Sequence, residues 1–223
     1  MPRLARVVVP GHPYHVTQRG NGRQPIFLSN DDRYRYLAWI QHYSSQYHLS
    51  LLAYCLMDNH VHFIAIPAKE DALAKTFSIA HMRYAQYFNK QKHGSGHLWQ
   101  GRFYSCLLDE MYLMAAMRYV ERNPVRAKLV EQPWQWPWSS AATHVGYAKA
   151  QISLQSLSSV TDISAEAWKG FIELEDGAED LKAIRQYTMT GRPLGTIAFV
   201  TKLGEALGRR LRALPRGRPK HAQ

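Results

Sequence analysis

Residues 49–67 read Leu49-Ser50-Leu51-Leu52-Ala53-Tyr54-Cys55-Leu56-Met57, then Asp58-Asn59, then His60-Val61-His62-Phe63-Ile64-Ala65-Ile66-Pro67. Two apolar runs of strand length flank a tight turn at Met57-Asp58-Asn59, and Pro67 stops the second run. Successive side chains on a strand alternate faces, so His60 and His62 project together while Val61 and Phe63 face the other way. Ile64 and Ile66 continue the histidine face as apolar, which predicts an imidazole pair at a core margin. Two such imidazoles can hold one divalent cation. An unrelated pair near a hairpin is the alternative, since the chain has 11 histidines.

Working outward from this hairpin, the elements alternate in type. Tyr14 to Arg19 reads as a strand ended by Gly20-Asn21-Gly22. Asp31-Asp32 open a helix to about His48, because acidic side chains suit a helix N-terminus. Asp71 to about Lys92 is a second helix, followed by a loop over 93–97. Phe103 to Leu108 is a short strand. Asp109-Glu110 begin a third helix that ends before Pro124. The order β-α-β-β-α-β-α predicts an α+β chain with a ferredoxin-like split βαβ core: one antiparallel sheet with helices on one face.

A second candidate lies in Arg118-Tyr119-Val120-Glu121-Arg122-Asn123-Pro124. On a helix, Tyr119 and Asn123 are i, i+4 neighbours. A phenol and an amide oxygen one turn apart offer a nucleophile and a third metal ligand; a packing tyrosine before a helix stop is the competing reading. Taken with the histidines, the residues fit phosphodiester chemistry, in which a tyrosine attacks phosphorus and a bound cation offsets the charge building on oxygen. Tyr112, seven residues earlier, is a rival on nearly the same face but about 10 Å further along the helix.

The composition agrees with such a substrate. The 223 residues are 46% hydrophobic and 20% charged, an ordinary globular balance, and no apolar run reaches membrane-span length. Two cysteines give no disulfide framework, which suits a reducing, cytoplasmic setting. Lys plus Arg is 28 against 17 acidic residues, a net charge of +11 that attracts polyanions.

The hairpin run from Met57 to Phe63 resembles the histidine motif of the HUH single-tyrosine transposases. The resemblance extends to Tyr14-His15-Val16-Thr17-Gln18-Arg19-Gly20-Asn21, to Leu98-Trp99-Gln100-Gly101-Arg102-Phe103, to residues 119–127 and to Trp138-Ser139-Ser140. Within that family it is most similar to the bacterial REP-associated tyrosine transposases. The resemblance implies that His60 and His62 are metal ligands and that Tyr119 cleaves single-stranded, hairpin-containing DNA, keeping the 5′-phosphate in a covalent phosphotyrosine. Asn123 matches a position where related transposases carry a Gln that completes the metal site. Mg²⁺ or Mn²⁺ is the implied cofactor; imidazole chemistry alone would favour zinc, which stays a competitor. The implied protein is a cytoplasmic, nucleoid-associated strand transferase, monomer or homodimer. A non-catalytic protein binding structured nucleic acid on the same scaffold, and a protein with a structural zinc, are the alternatives.

For DNA contacts, the sequence nominates Arg19 and Arg23 beside the Gly20–Gly22 turn, Lys90, Lys92 and Arg102 around the second helix and its loop, and Arg122 and Arg126 at the end of the third helix. Phe77, Ala80, Tyr84 and Tyr87 form an apolar stripe and are assigned to the core. The polar stretch 147–159 suggests a boundary, dividing the chain into a catalytic domain over 1–147 and a helical C-terminal region over 148–223. That region holds an acidic segment, residues 162–180, read as a solvated helix or spacer. It ends in Arg216-Gly217-Arg218-Pro219-Lys220, which resembles an AT-hook core, a DNA-anchoring arm whose arginines Arg216 and Arg218, beside Lys220, enter a narrow minor groove; a plain disordered basic tail is the alternative.

Overall fold

The computed structural model describes residues 6–212; the basic run with Arg216, Arg218 and Lys220 lies outside the described residues. Four strands, β1 (Tyr14–Arg19), β2 (Leu49–Met57), β3 (His60–Pro67) and β4 (Tyr104–Leu107), form one antiparallel sheet in the order β2-β3-β1-β4. The register pairs Thr17 with His62 and Arg19 with His60 across β1 and β3. The β2–β3 connection is the two-residue Asp58-Asn59 turn, as the sequence predicts.

Helices α1 (Asn30–Gln46) and α2 (Ala72–Gln91) cover one face. Ser29 caps α1 and forms a reciprocal capping box with Asp32, an arrangement that stabilises a helix start by about 1 kcal/mol. Val16, Val61, Phe63, Phe77, Tyr84 and Trp99 pack together on this side, so the aromatics of α2 are core rather than base-stacking surfaces. The expected helical layer over the split βαβ core is thus present.

The opposite sheet face, which carries the histidines, has a layer of its own. It contains α3 (Glu110–Glu121), α4 (Asn123–Arg126), α5 (Ala141–His144), α6 (Ala165–Glu173) and α7 (Ala178–Thr190), with α8 (Ile197–Ala206) following. Leu157, Trp168, Ile172, Ile184 and Leu194 share one buried cluster with Ala53, Cys55, Ile64 and Val120. The composition change near residue 147 therefore does not separate two cores among the described residues. Glu121, fully buried on α3, ties three of these helices together. Its carboxylate accepts from His144 Nδ1 (2.6 Å), Trp168 Nε1 (2.9 Å) and the Ser140 hydroxyl.

The chain beyond residue 137 also lines both margins of the sheet. Leu56 N–H donates to Trp138 O, Ser140 N–H to Tyr54 O and Gln155 N–H to Leu51 O along β2. At β4, Leu194 N–H donates to Leu107 O, and Asp109 N–H to Leu194 O.

The third helix ends at Glu121, before Pro124 as expected, and after Arg122 the chain enters a separate short helix with Pro124 in its first turn. Proline is tolerated at that position because its missing N–H would have had no intrahelical partner. No helix among the described residues is long and apolar enough to cross a membrane.

Candidate active site

Alternation along β3 places His60 and His62 on the face opposite Val61 and Phe63, with ring centroids 5.0 Å apart. α3 crosses the same face and lays the Tyr119 ring edge-on to His62, 5.7 Å between centroids. Tyr119, His60, His62 and Asn123 line one cavity of about 490 Å³, together with Arg19 from β1, Arg126 from α4 and Thr188 from α7. A single chain supplies the histidine pair and the phenol. Tyr112 does not line this cavity; it packs, partly buried, against the apolar cluster of the C-terminal layer.

The hydrogen bonds fix which nitrogen of each imidazole faces the cavity. His60 Nδ1 lies 2.6 Å from Asn59 Oδ1, an acceptor, so Nδ1 carries the proton and Nε2 the lone pair. His62 Nδ1 lies 2.8 Å from His15 Nε2, which leaves His62 Nε2 for the cavity. Burial lowers His60 to about 4, aided by the positive charge of Arg19 and opposed by a hydrogen-bonding contact with the Asn123 side chain. Burial, then the neighbouring His60 and His15, push His62 well below the usual imidazole value. Both rings are therefore neutral at physiological pH, the form that ligates metal.

The donor set fits a cation. Asn123 Nδ2 is buried without a partner, so the amide oxygen is the atom Asn123 offers toward His60. The His60 lone pair, His62 Nε2 and one amide oxygen face a common space. Among the described residues, no group of three His, Cys, Asp or Glu side chains is placed to hold a metal. This is not the closed four-ligand arrangement of structural zinc; it is an open set with room for substrate oxygens.

The arginines divide by environment. Arg122 is buried, bonded to Asp176 (3.0 Å) and to the carbonyls of Ile172 and Glu173. Its guanidinium is committed to the fold, so the expected DNA contact is not available to it. Arg126 shares Asp176 at 2.9 Å, donates to Tyr119 O and stacks over the Tyr119 ring at 4.3 Å. It remains on the cavity wall, as does Arg19. Asp176, from the acidic segment, is thus a buried counter-ion rather than part of a solvated spacer. Lys90 and Lys92 are exposed at the end of α2, in the layer away from the cavity; Arg23 is exposed beside the β1 turn. Arg102 lines a neighbouring cleft with Arg6, Tyr104 and Thr188.

The sequence reading did not single out His15, Thr188, Arg185, Gln100 or Asp176, all of which line or brace the site. His15 could have been found from its i, i+2 relation to Thr17, given a β1–β3 register. Thr188 and Asp176 carry no local signal, because they arrive through packing of the C-terminal layer.

Two buried imidazoles, His15 and His81, hold the fold to a pH range. Burial lowers His15 and His81 each to about 3, against an ordinary 6.5. Below pH 6.5 the unfolded chain binds a proton at each that the folded chain does not. Stability is therefore full above that value and drains as pH falls. Near pH 5 the loss is expected to be about 2 kcal/mol for each of these two histidines. Urea midpoints compared at neutral and mildly acidic pH would show it, and a flat midpoint would contradict it.

Comparison with known proteins accords with this geometry. Residues 8–123 match the model of the IS200-like transposases. A REP-associated tyrosine transposase of Haemophilus influenzae is 26% identical over 122 residues, covering 50% of this chain and 67% of that protein. The structure of a REP-associated tyrosine transposase bound to a REP hairpin aligns with a TM-score of 0.53 at 20% identity, over 74% of this chain and 96% of that one. A Deinococcus radiodurans transposase structure aligns more loosely, with a TM-score of 0.37 at 18% identity, over 58% of this chain and 92% of that one. With more than half its length matched, from the strand before the histidine hairpin to Asn123, the chain belongs to the IS200-like transposase family, a family of DNA-cleaving enzymes.

Proposed function

We propose that this protein cleaves and rejoins hairpin-containing single-stranded DNA through a covalent bond between Tyr119 and a 5′-phosphate. The observation that carries this reading is the Tyr119 ring set edge-on to His62 in one cavity with His60 and Asn123. The Tyr119 oxygen bonds to phosphorus as the bond from phosphorus to the 3′-oxygen breaks. The phenol gives up one proton and the leaving 3′-oxygen takes one up. Reversal by a 3′-hydroxyl restores the phosphodiester with no nucleotide cofactor, since the bond is conserved in the phosphotyrosine.

His60 and His62, with the oxygen of Asn123, would hold Mg²⁺ or Mn²⁺, zinc being the competitor the imidazoles suit. Such a cation polarises a scissile phosphate and offsets charge on its oxygens. Arg126 braces the Tyr119 ring and, with Arg19, gives the cavity the positive potential that draws a phosphate in. Arg23, Lys90, Lys92 and Arg102 remain candidates for contacts to the flanking strand. The hairpin substrate is suggested by the relative that binds a REP hairpin.

The test is incubation of the protein with a labelled hairpin oligonucleotide in Mg²⁺ or Mn²⁺, resolved by denaturing electrophoresis. A covalent adduct is expected, lost in EDTA and in His60→Ala or His62→Ala. Full adduct formation in EDTA would end the metal assignment. Hairpin binding with no cleavage under any divalent cation would favour a binding protein instead.

A further inference from the structure

Behind His62 lies a buried relay that the catalytic reading does not use. His62 Nδ1 is 2.8 Å from His15 Nε2, and His15 Nδ1 is 2.8 Å from the hydroxyl of Thr188. His15 and Thr188 are each at most 2% exposed. Thr188 sits on α7, far along the chain from the histidine hairpin and outside the segment matched to the transposase family. Gly191, with φ at +70°, ends α7 three residues later, so the helix presents Thr188 to β1 and then turns away.

The relay can run in two directions. Each neutral imidazole carries one proton, and the His62–His15 hydrogen bond needs one proton between its two nitrogens. In the first direction His62 Nδ1–H donates to His15, His15 Nδ1–H donates to Thr188 Oγ1, and His62 Nε2 turns a lone pair to the cavity. In the second, Thr188 donates to His15, His15 Nε2–H donates to His62, and His62 turns an N–H to the cavity. Only the first direction gives a ring that can ligate a cation. It requires an acceptor at the end of the chain, and the Thr188 hydroxyl oxygen is that acceptor. Without it, His15 Nδ1–H would be a buried donor with no partner, a cost that favours the second direction.

We infer that Thr188, acting through His15, is a positioning residue that holds His62 in its metal-ligating tautomer, so that the C-terminal helix α7 completes the active site. The inference rests on the reading of His60 and His62 as metal ligands. Partners of this kind typically alter metal affinity by about 10–100-fold when removed.

The experiment is a Mn²⁺ titration of the metal-free full-length protein, followed by loss of the free-ion electron paramagnetic resonance signal. It compares wild type with Thr188→Val, Thr188→Ser, His15→Gln and His60→Ala. Thr188→Val is expected to weaken Mn²⁺ binding about 10-fold or more, with its thermal midpoint near that of the wild type. Thr188→Ser keeps the hydroxyl and is expected to restore binding, and His15→Gln keeps an acceptor for His62 Nδ1–H. Side-chain ¹⁵N spectra of the metal-free protein give a second readout. His62 should be protonated at Nδ1 in wild type and shift toward Nε2 in Thr188→Val. If Thr188→Val binds as tightly as wild type while His60→Ala does not bind, the relay is overturned and the metal site stands. If His60→Ala binds as wild type does, both readings fall. Should Thr188→Val not fold, His62 protonated at Nε2 in the wild type would by itself overturn the inference, and protonation at Nδ1 would support it.

Discussion

Tyr119→Phe is expected to abolish covalent capture and cleavage of a hairpin oligonucleotide, by roughly 10³-fold or more, as removal of a catalytic nucleophile does elsewhere. The substitution is a clean one here. Phe keeps the ring on which Arg126 stacks at 4.3 Å and the edge contacts to His15 and His62 at 5.6 and 5.7 Å. What disappears is the one oxygen proposed to bond to phosphorus. Hairpin binding should stay nearly unchanged, because phosphate attraction comes from the basic side chains. Binding and cleavage must therefore be measured on the same preparation, by gel shift and by denaturing electrophoresis. An adduct that persists in Tyr119→Phe would move the nucleophile elsewhere. Tyr112 is poorly placed to take the role, since it packs against the apolar cluster rather than lining the cavity.

Glu121→Ala is expected to cause the largest loss of stability of any single substitution considered. Three buried donors converge on this carboxylate, Ser140 and His144 from the two ends of α5 and Trp168 from α6. Its removal leaves His144, Trp168 and Ser140 without their acceptor and opens a gap under α3. Breaking a buried, paired carboxylate of this kind costs about 3–5 kcal/mol. For a chain of this length that is a fall in Tm of about 10 °C. Glu121→Gln retains an acceptor oxygen and should lose clearly less. Calorimetry on both variants checks the ranking; equal losses would mean that charge, and not acceptor geometry, holds the network. Because Glu121 lies two residues past Tyr119, a loosened α3 should also lower cleavage in Glu121→Ala.

The central sheet and its first helical layer were legible because their signals are local. Alternation in 60–66 separates the histidine face from Val61 and Phe63, and Asp31-Asp32 mark the first turn of α1. The pairing of Tyr119 with the histidines was legible from spacing and resemblance together, and the structure brings them to one cavity. The second layer was not legible. A run dense in Asp and Glu suggests solvation, yet Asp176 is buried because three arginines, Arg118, Arg122 and Arg126, project from one helical face toward it. Their spacing of four residues was visible; that a distant carboxylate would answer it was not. For the same reason Arg122 read as a DNA contact, when its charge is already neutralised within the fold.

The C-terminal chain runs beside both outer strands, from Trp138 to Gln155 along β2 and at Leu194 beside β4. A sheet whose outermost strands were bare would offer another molecule a template for continuing the ladder, the usual first step toward fibrous self-association. Here those rows of amide and carbonyl groups are interrupted by the protein's own polypeptide. Among the described residues, a companion copy seeking to lengthen the sheet would find positions already taken at Leu51, Tyr54 and Leu56 on one side and at Leu107 on the other.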